Sequence, residues 1–437
     1  MGSMIAGTSQ MVITPPVGVD LCGFAGRPGP SQGVHDDLYA KGLFLADQSS
    51  EVLLLTADLI GLSEGDVAAI RDLLCQEIGL PADAVMVSCS HTHSGPCTHC
   101  IGGLGDWDEA YLALLVRKIA SVGIMAAKHA QPALLGWARE PARVHINRRQ
   151  HTDKGIKLGV NPEGLTLPWV DVLVVQTAPG HPLARWFCHA AHAVTLGSDN
   201  LLVSADWPGF AQATVQGAEP GATALYAQGC CGNLNSDPRG TFEIAQRQGW
   251  VIGGAVLKGA ALAPRTGDVV LDHAAQVVDL PLQDPPSVEE AEQALAARRE
   301  ARDNAPADTT YQMRKTLDWY VRWHENLLAV TRDGVIGRTI PFEVAALRIG
   351  DAVVVGLPGE VFAEYAVNIA HRSPAERTIV TAYTNGNFGY VPTQAAFAEG
   401  GYEVDHAYYF YLPSMLTPDC EKLILDAAEA VVRSLFV

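Results

Sequence analysis

The sequence predicts an α/β fold, mixed β-sheets flanked by helices in one elaborated domain, and three observations carry that expectation. Short apolar runs of strand length alternate with longer amphipathic stretches. The first such set reads strand, helix, strand. No internal repeat or low-complexity linker divides the 437 residues, a length that suits one large core or two closely packed lobes. In chain order, the run 51–58 is a buried strand, 64–78 a helix, Gly79-Leu80-Pro81 a stop, and 84–88 the next strand. An amphipathic helix follows over 108–129, then strands over 132–138, 170–177 and 184–189, and helices over 208–216 and 242–261. Strands return at 342–349 and 352–357, and a helix over 418–435 closes the chain.

From 284 to 333 the composition changes to a charged, Ala-rich helical stretch in which Trp319, Tyr320 and Trp323 stand close together. This segment reads as a helical insertion or lid, or equally as a hairpin packing an aromatic stripe on the body.

Composition excludes several classes. Thirty basic against 48 acidic residues give a net charge of −18, which repels nucleic acid and anionic membranes. No uninterrupted apolar run reaches bilayer length, so no stable membrane insertion is expected. The opening Met-Gly-Ser-Met lacks the regions of a signal peptide and reads as an expression scar, with the domain expected over 4–437. Nine cysteines, an odd set, read as reduced thiols in a cytoplasmic protein, and the composition is compatible with a homo-oligomer. The Cys97-Thr-His-Cys100 spacing has no matching second pair and is read as a loop rather than a zinc knuckle.

The chemistry-bearing stretch is residues 90–96, Ser-His-Thr-His-Ser-Gly-Pro, directly after a predicted strand. Positions i and i+2 of a strand share a side, so His91 and His93 are expected to converge on one ion or one substrate. Neutral imidazole is a common zinc ligand, and a catalytic zinc site takes three protein ligands plus water, so partners must come from distant sequence. Two ordinary histidines, one in the core and one solvated, are the competing reading. Further polar segments lie at 187–192 (Phe-Cys-His-Ala-Ala-His), 204–209, 227–238 with its glycines, 356–360 (Gly-Leu-Pro-Gly-Glu) and 383–390.

With residues 20–26, 33–36 and 146–148, these segments, in this order over almost the whole chain, resemble the N-terminal catalytic domain of the neutral/alkaline ceramidases. The resemblance implies a zinc (Zn2+) amidase whose ion is held by His91, His192, Glu360 and Tyr390. It implies that His93 faces the substrate as a proton shuttle, that Arg148 and Tyr402 donate to the oxyanion, and that His35 lines the entrance. Gly232 and Cys231 are then expected beside the substrate. Two imidazoles and one carboxylate leave a net positive ion able to acidify a water, which agrees with that set. Tyr390 is the unusual ligand, because a phenolate is costly at neutral pH; a hydrogen-bonding core tyrosine is its other reading. For Arg148 the other reading is a surface salt bridge.

The chain departs from the family pattern at Gly-Asp-Val-Ser-Pro, which reads Gly232-Asn-Leu-Asn-Ser236 and puts Asn235 at the serine position. An amide is no nucleophile but can donate to an oxyanion, so water activated by the metal is the expected nucleophile. A thiolate at Cys230 or Cys231 is a minor alternative. Asp58, His189 and Asp206 are candidates to orient the ligands. The chain ends at Val437 with no downstream β-sandwich, and its acidic character suits a small or amphiphilic amide better than ceramide in a bilayer. A metallo-β-lactamase reading fails because Ser94-Gly-Pro96 stands where Asp and His are needed, and an eightfold barrel rhythm is not apparent. Esterase or lactonase chemistry on the same site, and a non-catalytic ligand-binding relative, remain open.

Overall fold

The computed structural model describes residues 4–436. Residues 1–3, read above as an expression scar, and Val437, the expected end of the domain, lie outside them. Strand periodicity builds a four-layer stack. An eight-stranded mixed sheet runs in the order Thr223–Gln228, Pro182–His189, Trp169–Thr177, Gln131–Pro141, Ile5–Val12, Tyr39–Ala46, Glu51–Ala57, Val85–Cys89. A four-stranded sheet, Leu271–Pro281, Thr339–Ile349, Ala352–Gly356 and Arg377–Thr381, packs on one face of it. Alternation decides which side chain goes where: Leu43 and Leu45 point between the sheets, Phe44 and Ala46 toward the helices. Between the sheets Trp186 is fully buried and meets Trp137 edge-on at 6.1 Å. Helices Glu109–Lys128, Asp206–Ala218 and Phe242–Leu262 cover the outer face of the large sheet, and Ala363–Arg372 and Cys420–Ser434 that of the small one.

Local signals set the helix ends. Ser63 and Asp66 form a reciprocal capping box at the start of Glu64–Ile78, and Gly79 ends it with φ 73°. Glu109–Lys128 is long and apolar enough by composition to cross a bilayer, with a mean hydropathy of 1.6 over its most apolar window, although Arg117 and Lys118 interrupt its apolar run. It lies instead against strands Ile5–Val12 and Tyr39–Ala46, where Gly7 lets the backbones meet; a Cβ there would overlap the Ala126 carbonyl.

Topology then places the site. Within the two large sheets three pairs of strands run parallel: Glu51–Ala57 with Val85–Cys89, Pro182–His189 with Thr223–Gln228, and Ala352–Gly356 with Arg377–Thr381. The large sheet curls so that its two outermost strands approach, with Lys41 Nζ donating to Ala224 O at 2.9 Å and Gln228 Nε2 to Ser90 O at 3.1 Å. The carboxyl ends of these pairs face one small volume, the usual ligand position in parallel sheets. Residues 284–333 form a hairpin of helices Val288–Asp303 and Tyr311–Arg332. Its aromatic stripe packs on the body: Trp319 Nε1 donates to Tyr409 O at 2.7 Å and Trp323 Nε1 to Leu412 O at 2.8 Å.

Removing Trp186 leaves a cavity between two sheets that cannot close over it, so Trp186→Ala should cost roughly 3–5 kcal/mol in urea denaturation. A loss under about 1 kcal/mol would show the inter-sheet core to be loosely packed.

Candidate active site

Each acid or imidazole of the site follows the carboxyl end of a strand. His91 comes after Val85–Cys89 and His192 after Pro182–His189, while Glu360 lies in a two-residue strand, Glu360–Val361, paired in parallel with Tyr390–Val391. Strand alternation does not bring His91 and His93 together, contrary to expectation. The strand ends at Cys89, and His91 has φ 59°, so a left-handed turn folds the two rings toward each other. Their Nε2 atoms lie 3.1 Å apart.

Four donor atoms meet there. His192 Nε2 is 3.0 Å and His91 Nε2 3.5 Å from Glu360 Oε2, and the ligand atoms of His91, His93 and His192 all lie within 4.8 Å of one another. Ligands of a tetrahedral zinc at about 2.0–2.1 Å stand roughly 3.3 Å apart, so this spacing suits one ion. Backbone carbonyls fix two tautomers: His91 Nδ1 donates to Ile60 O at 2.7 Å, and His192 Nδ1 to Cys231 O at 2.7 Å. Their Nε2 atoms therefore present lone pairs. Burial, with the Arg148 cation adding to it, pushes His192 down to about 4. Burial opposes the charge of Glu360, but His91 and His192 outweigh it and hold the carboxyl well below its ordinary value. The two Nε2 atoms and the carboxylate thus converge on one point, an arrangement in which a divalent cation can take the place of a shared proton. The donor set fits zinc.

Two tyrosines that sequence reasoning missed hold Glu360. Tyr411 Oη donates to Oε1 at 2.5 Å, and Tyr383, whose ring stacks on His91 at 4.1 Å, donates to Oε2 at 3.4 Å. The tyrosine-rich run at 408–411 was the available signal for the first. Tyr390 is buried with its ring under the Arg148 guanidinium at 5.1 Å, and the Tyr402 ring lies 5.8 Å from it.

Arg148 is no surface residue. Its Nε donates to Glu403 Oε1 at 2.8 Å, its Nη1 approaches Asn235 Oδ1 at 3.3 Å, and its buried Nη2 has no partner. Burial opposes its charge, yet Tyr390 and Glu403 outweigh it and hold the guanidinium well above its ordinary value. Glu403, itself fully buried, also takes Arg149 Nη1 at 2.8 Å. His93 stands with the rings of His91 and His192 but differs from them: its buried Nδ1 has no partner, and burial, then its two neighbouring imidazoles, hold it well below its ordinary value.

Several expected roles change. The Gly232 N–H is taken by Val361 O at 2.8 Å, and a Cβ there would overlap the Glu360 carbonyl, so this glycine serves backbone packing rather than substrate contact. The Cys231 thiol is buried against Tyr383 and burial drives it well above its ordinary value; its contribution is the carbonyl that orients His192. His35 stacks on Phe242 at 3.8 Å and bonds Asp36 at 2.8 Å, and none of its contacts is with the cluster. Asp58, Asp206 and His189 do not touch the ligands: Asp58 accepts from Tyr39 and Gln212, Asp206 from Leu196 and Trp207, and His189 Nε2 lies 3.2 Å from His145 Nδ1. Cys97 and Cys100 are buried free thiols away from the cluster's donor atoms.

No family model and no curated protein matches the sequence. Solved structures do. The neutral ceramidase of Pseudomonas aeruginosa superposes with a TM-score of 0.74 over 99% of this chain and 75% of that one, at 18% identity. The chain has a neutral ceramidase-like fold. A ceramidase complexed with C2 is similar at a TM-score of 0.75 and 17% identity, covering 99% of this chain and 76% of that one. In this ceramidase-like fold, the buried His91, His93 and His192 cluster is compatible with a metal site.

Burial pushes His189 down to about 4 from an ordinary 6.5, so on acidification the unfolded chain takes up a proton that the folded protein refuses. Stability should fall as pH drops from 6.5 toward 4, and His189→Gln should remove about 3 kcal/mol of that fall. Equal pH slopes for the two proteins in urea denaturation would rule out His189 as a source.

Proposed function

We propose that this protein is a zinc-dependent hydrolase of a small or amphiphilic N-acyl amide, with water as the nucleophile. The observation that carries the reading is the facing of carbonyl-fixed lone pairs of His91 and His192 with the Glu360 carboxylate, inside a ceramidase-like fold. The metal, when bound, lowers the pKa of a water and polarises a carbonyl. Metal-binding histidines usually donate their other ring N–H to a carbonyl or carboxylate. His91 and His192 do so and His93 does not, which favours the first two as ligands and leaves His93 to hold or deliver a proton at Nε2. Tyr390, adjacent through its strand pairing with Glu360, is the fourth candidate ligand.

Arg148 has its Nη1 beside Asn235 and His192 and a buried, unpartnered Nη2, which makes its guanidinium the candidate cationic donor for the oxygen on which negative charge develops. Tyr402, kept a neutral phenol by burial, is placed to donate alongside it. The amide of Asn235 has its oxygen engaged by Arg148, leaving its N–H2 toward substrate. Ser236, one residue on, points to the other side of its strand, opposite His145, with its buried hydroxyl unpartnered. Neither it nor the Cys231 thiol is offered to a substrate, which supports water over a side-chain nucleophile.

The reading is tested by metal analysis of the purified protein with a panel of short- and long-chain N-acyl compounds. One zinc per chain and amide hydrolysis are expected, with both lost in His91→Ala. His93→Ala should retain the metal and slow turnover by roughly 10²–10⁴-fold, the usual weight of a general acid–base group. Asn235→Ala should slow it by only about tenfold or less, since one of several donors is removed. Turnover that survives complete metal removal, or equally small effects of both variants, would overturn the assignment.

A further inference from the structure

A separate cavity lies between the helical hairpin and the segment 409–413, enclosing about 230 Å³. Its walls are aromatic, from Trp319, Trp323, Tyr409 and Tyr411, and two guanidinium groups, Arg322 and Arg338, reach it. Three other arginines of the hairpin are paired, Arg299 with Glu325 at 2.7 Å, Arg302 with Asp303 at 2.8 Å and Arg332 with Glu292 at 2.6 Å, while Arg298 lies over the Tyr320 and Tyr409 rings and Arg314 donates to backbone carbonyls. Arg322 lies over the Trp319 ring at 5.6 Å, and among the described residues neither it nor Arg338 forms an ion pair. The Nε and Nη2 atoms of Arg338 are buried without any partner. In a chain with 48 acidic and 30 basic residues, two guanidinium groups lining one cavity without a carboxylate partner leave a position for an anion. A carboxylate matches the guanidinium fork in shape and charge.

Size and lining narrow the ligand. The volume is below the roughly 300–1,000 Å³ of pockets for drug-sized molecules, yet above the roughly 150 Å³ that holds a benzene ring. An aromatic wall accepts a ring or a short alkyl chain and offers nothing to a second charge.

We propose that this cavity binds a small amphiphilic monocarboxylate, its carboxylate on Arg338 with Arg322 beside it and its apolar part among Trp319, Trp323 and Tyr409. The site is separate from the metal centre but shares a wall with it: the Tyr411 ring lines the cavity while its hydroxyl donates to Glu360 Oε1 at 2.5 Å. The proposal does not depend on the hydrolase reading, because it concerns binding outside the histidine cluster.

Isothermal calorimetry on the full-length protein tests it with phenylacetate and hexanoate against phenylacetamide and hexan-1-ol. The acids should bind one per chain and at least about tenfold more tightly than their neutral counterparts, since a charge-assisted pair replaces a neutral bond. Arg338→Met should abolish that preference. Leu327→Phe, which fills the cavity from another wall, should weaken all four ligands and guards against a local effect of the arginine change. Binding should persist in His91→Ala. Acids no tighter than neutral isosteres, binding that survives both cavity variants, or binding lost in His91→Ala, which would put the acid at the metal centre, would each overturn the proposal.

Discussion

Gln228 Nε2 donates to the carbonyls of Ser90 and Ala191, while its Oε1 accepts from the Ala191 N–H and the Tyr226 hydroxyl. One fully buried amide thereby uses three of its four hydrogen bonds on two strand ends, the ones that continue into His91 and His192. His91 follows one edge strand of the eight-stranded sheet and His192 the strand beside the opposite edge, and a backbone bond from His93 N–H to Ala193 O at 3.2 Å links the two loops. The curl of the sheet brings the edges near, and Gln228 sets their distance. An apolar residue there would leave buried carbonyls unpaired and the ligand spacing unfixed.

Charge around the centre follows from the same dryness. Burying a guanidinium is costly, and Glu403 compensates by bridging Arg148 and Arg149 at 2.8 Å each, a buried Arg–Glu–Arg triad. Such a triad is weak evidence for stability, but it fixes direction: with Nε held by Glu403 and Nη1 near Asn235, the free Nη2 of Arg148 has one orientation. An acid-rich chain thus holds an ordered positive group beside the histidine cluster.

How much of this the sequence carried depended on whether side chains or backbone did the work. Apolar runs of strand length marked strands such as Glu51–Ala57 and Val85–Cys89 and a helical pattern marked Glu64–Ile78, while Ile5–Val12 and Tyr39–Ala46, central strands of the large sheet, are absent from that reading. The family resemblance pointed to His91, His192, Glu360 and Arg148, all of which the fold gathers. What stayed hidden was backbone: the positive φ of His91, the carbonyls of Ile60 and Cys231 that orient the histidines, and the close approach at Gly232. Any residue can supply a carbonyl, so acidic candidates such as Asp58 and Asp206 drew a role that main-chain atoms fill. Tyr411 lies 51 positions from Glu360, and only tertiary packing joins them.

The seat of the hairpin has a consequence of another kind. Trp319 lies flat on Gly102 and Gly103, and a Cβ at either would overlap its ring. The glycine loop and the tryptophan must therefore change together over evolutionary time. A larger residue in the loop lifts the helix, and a smaller one in the helix strands the loop. The turn between the two helices touches neither and is free to drift in length and composition.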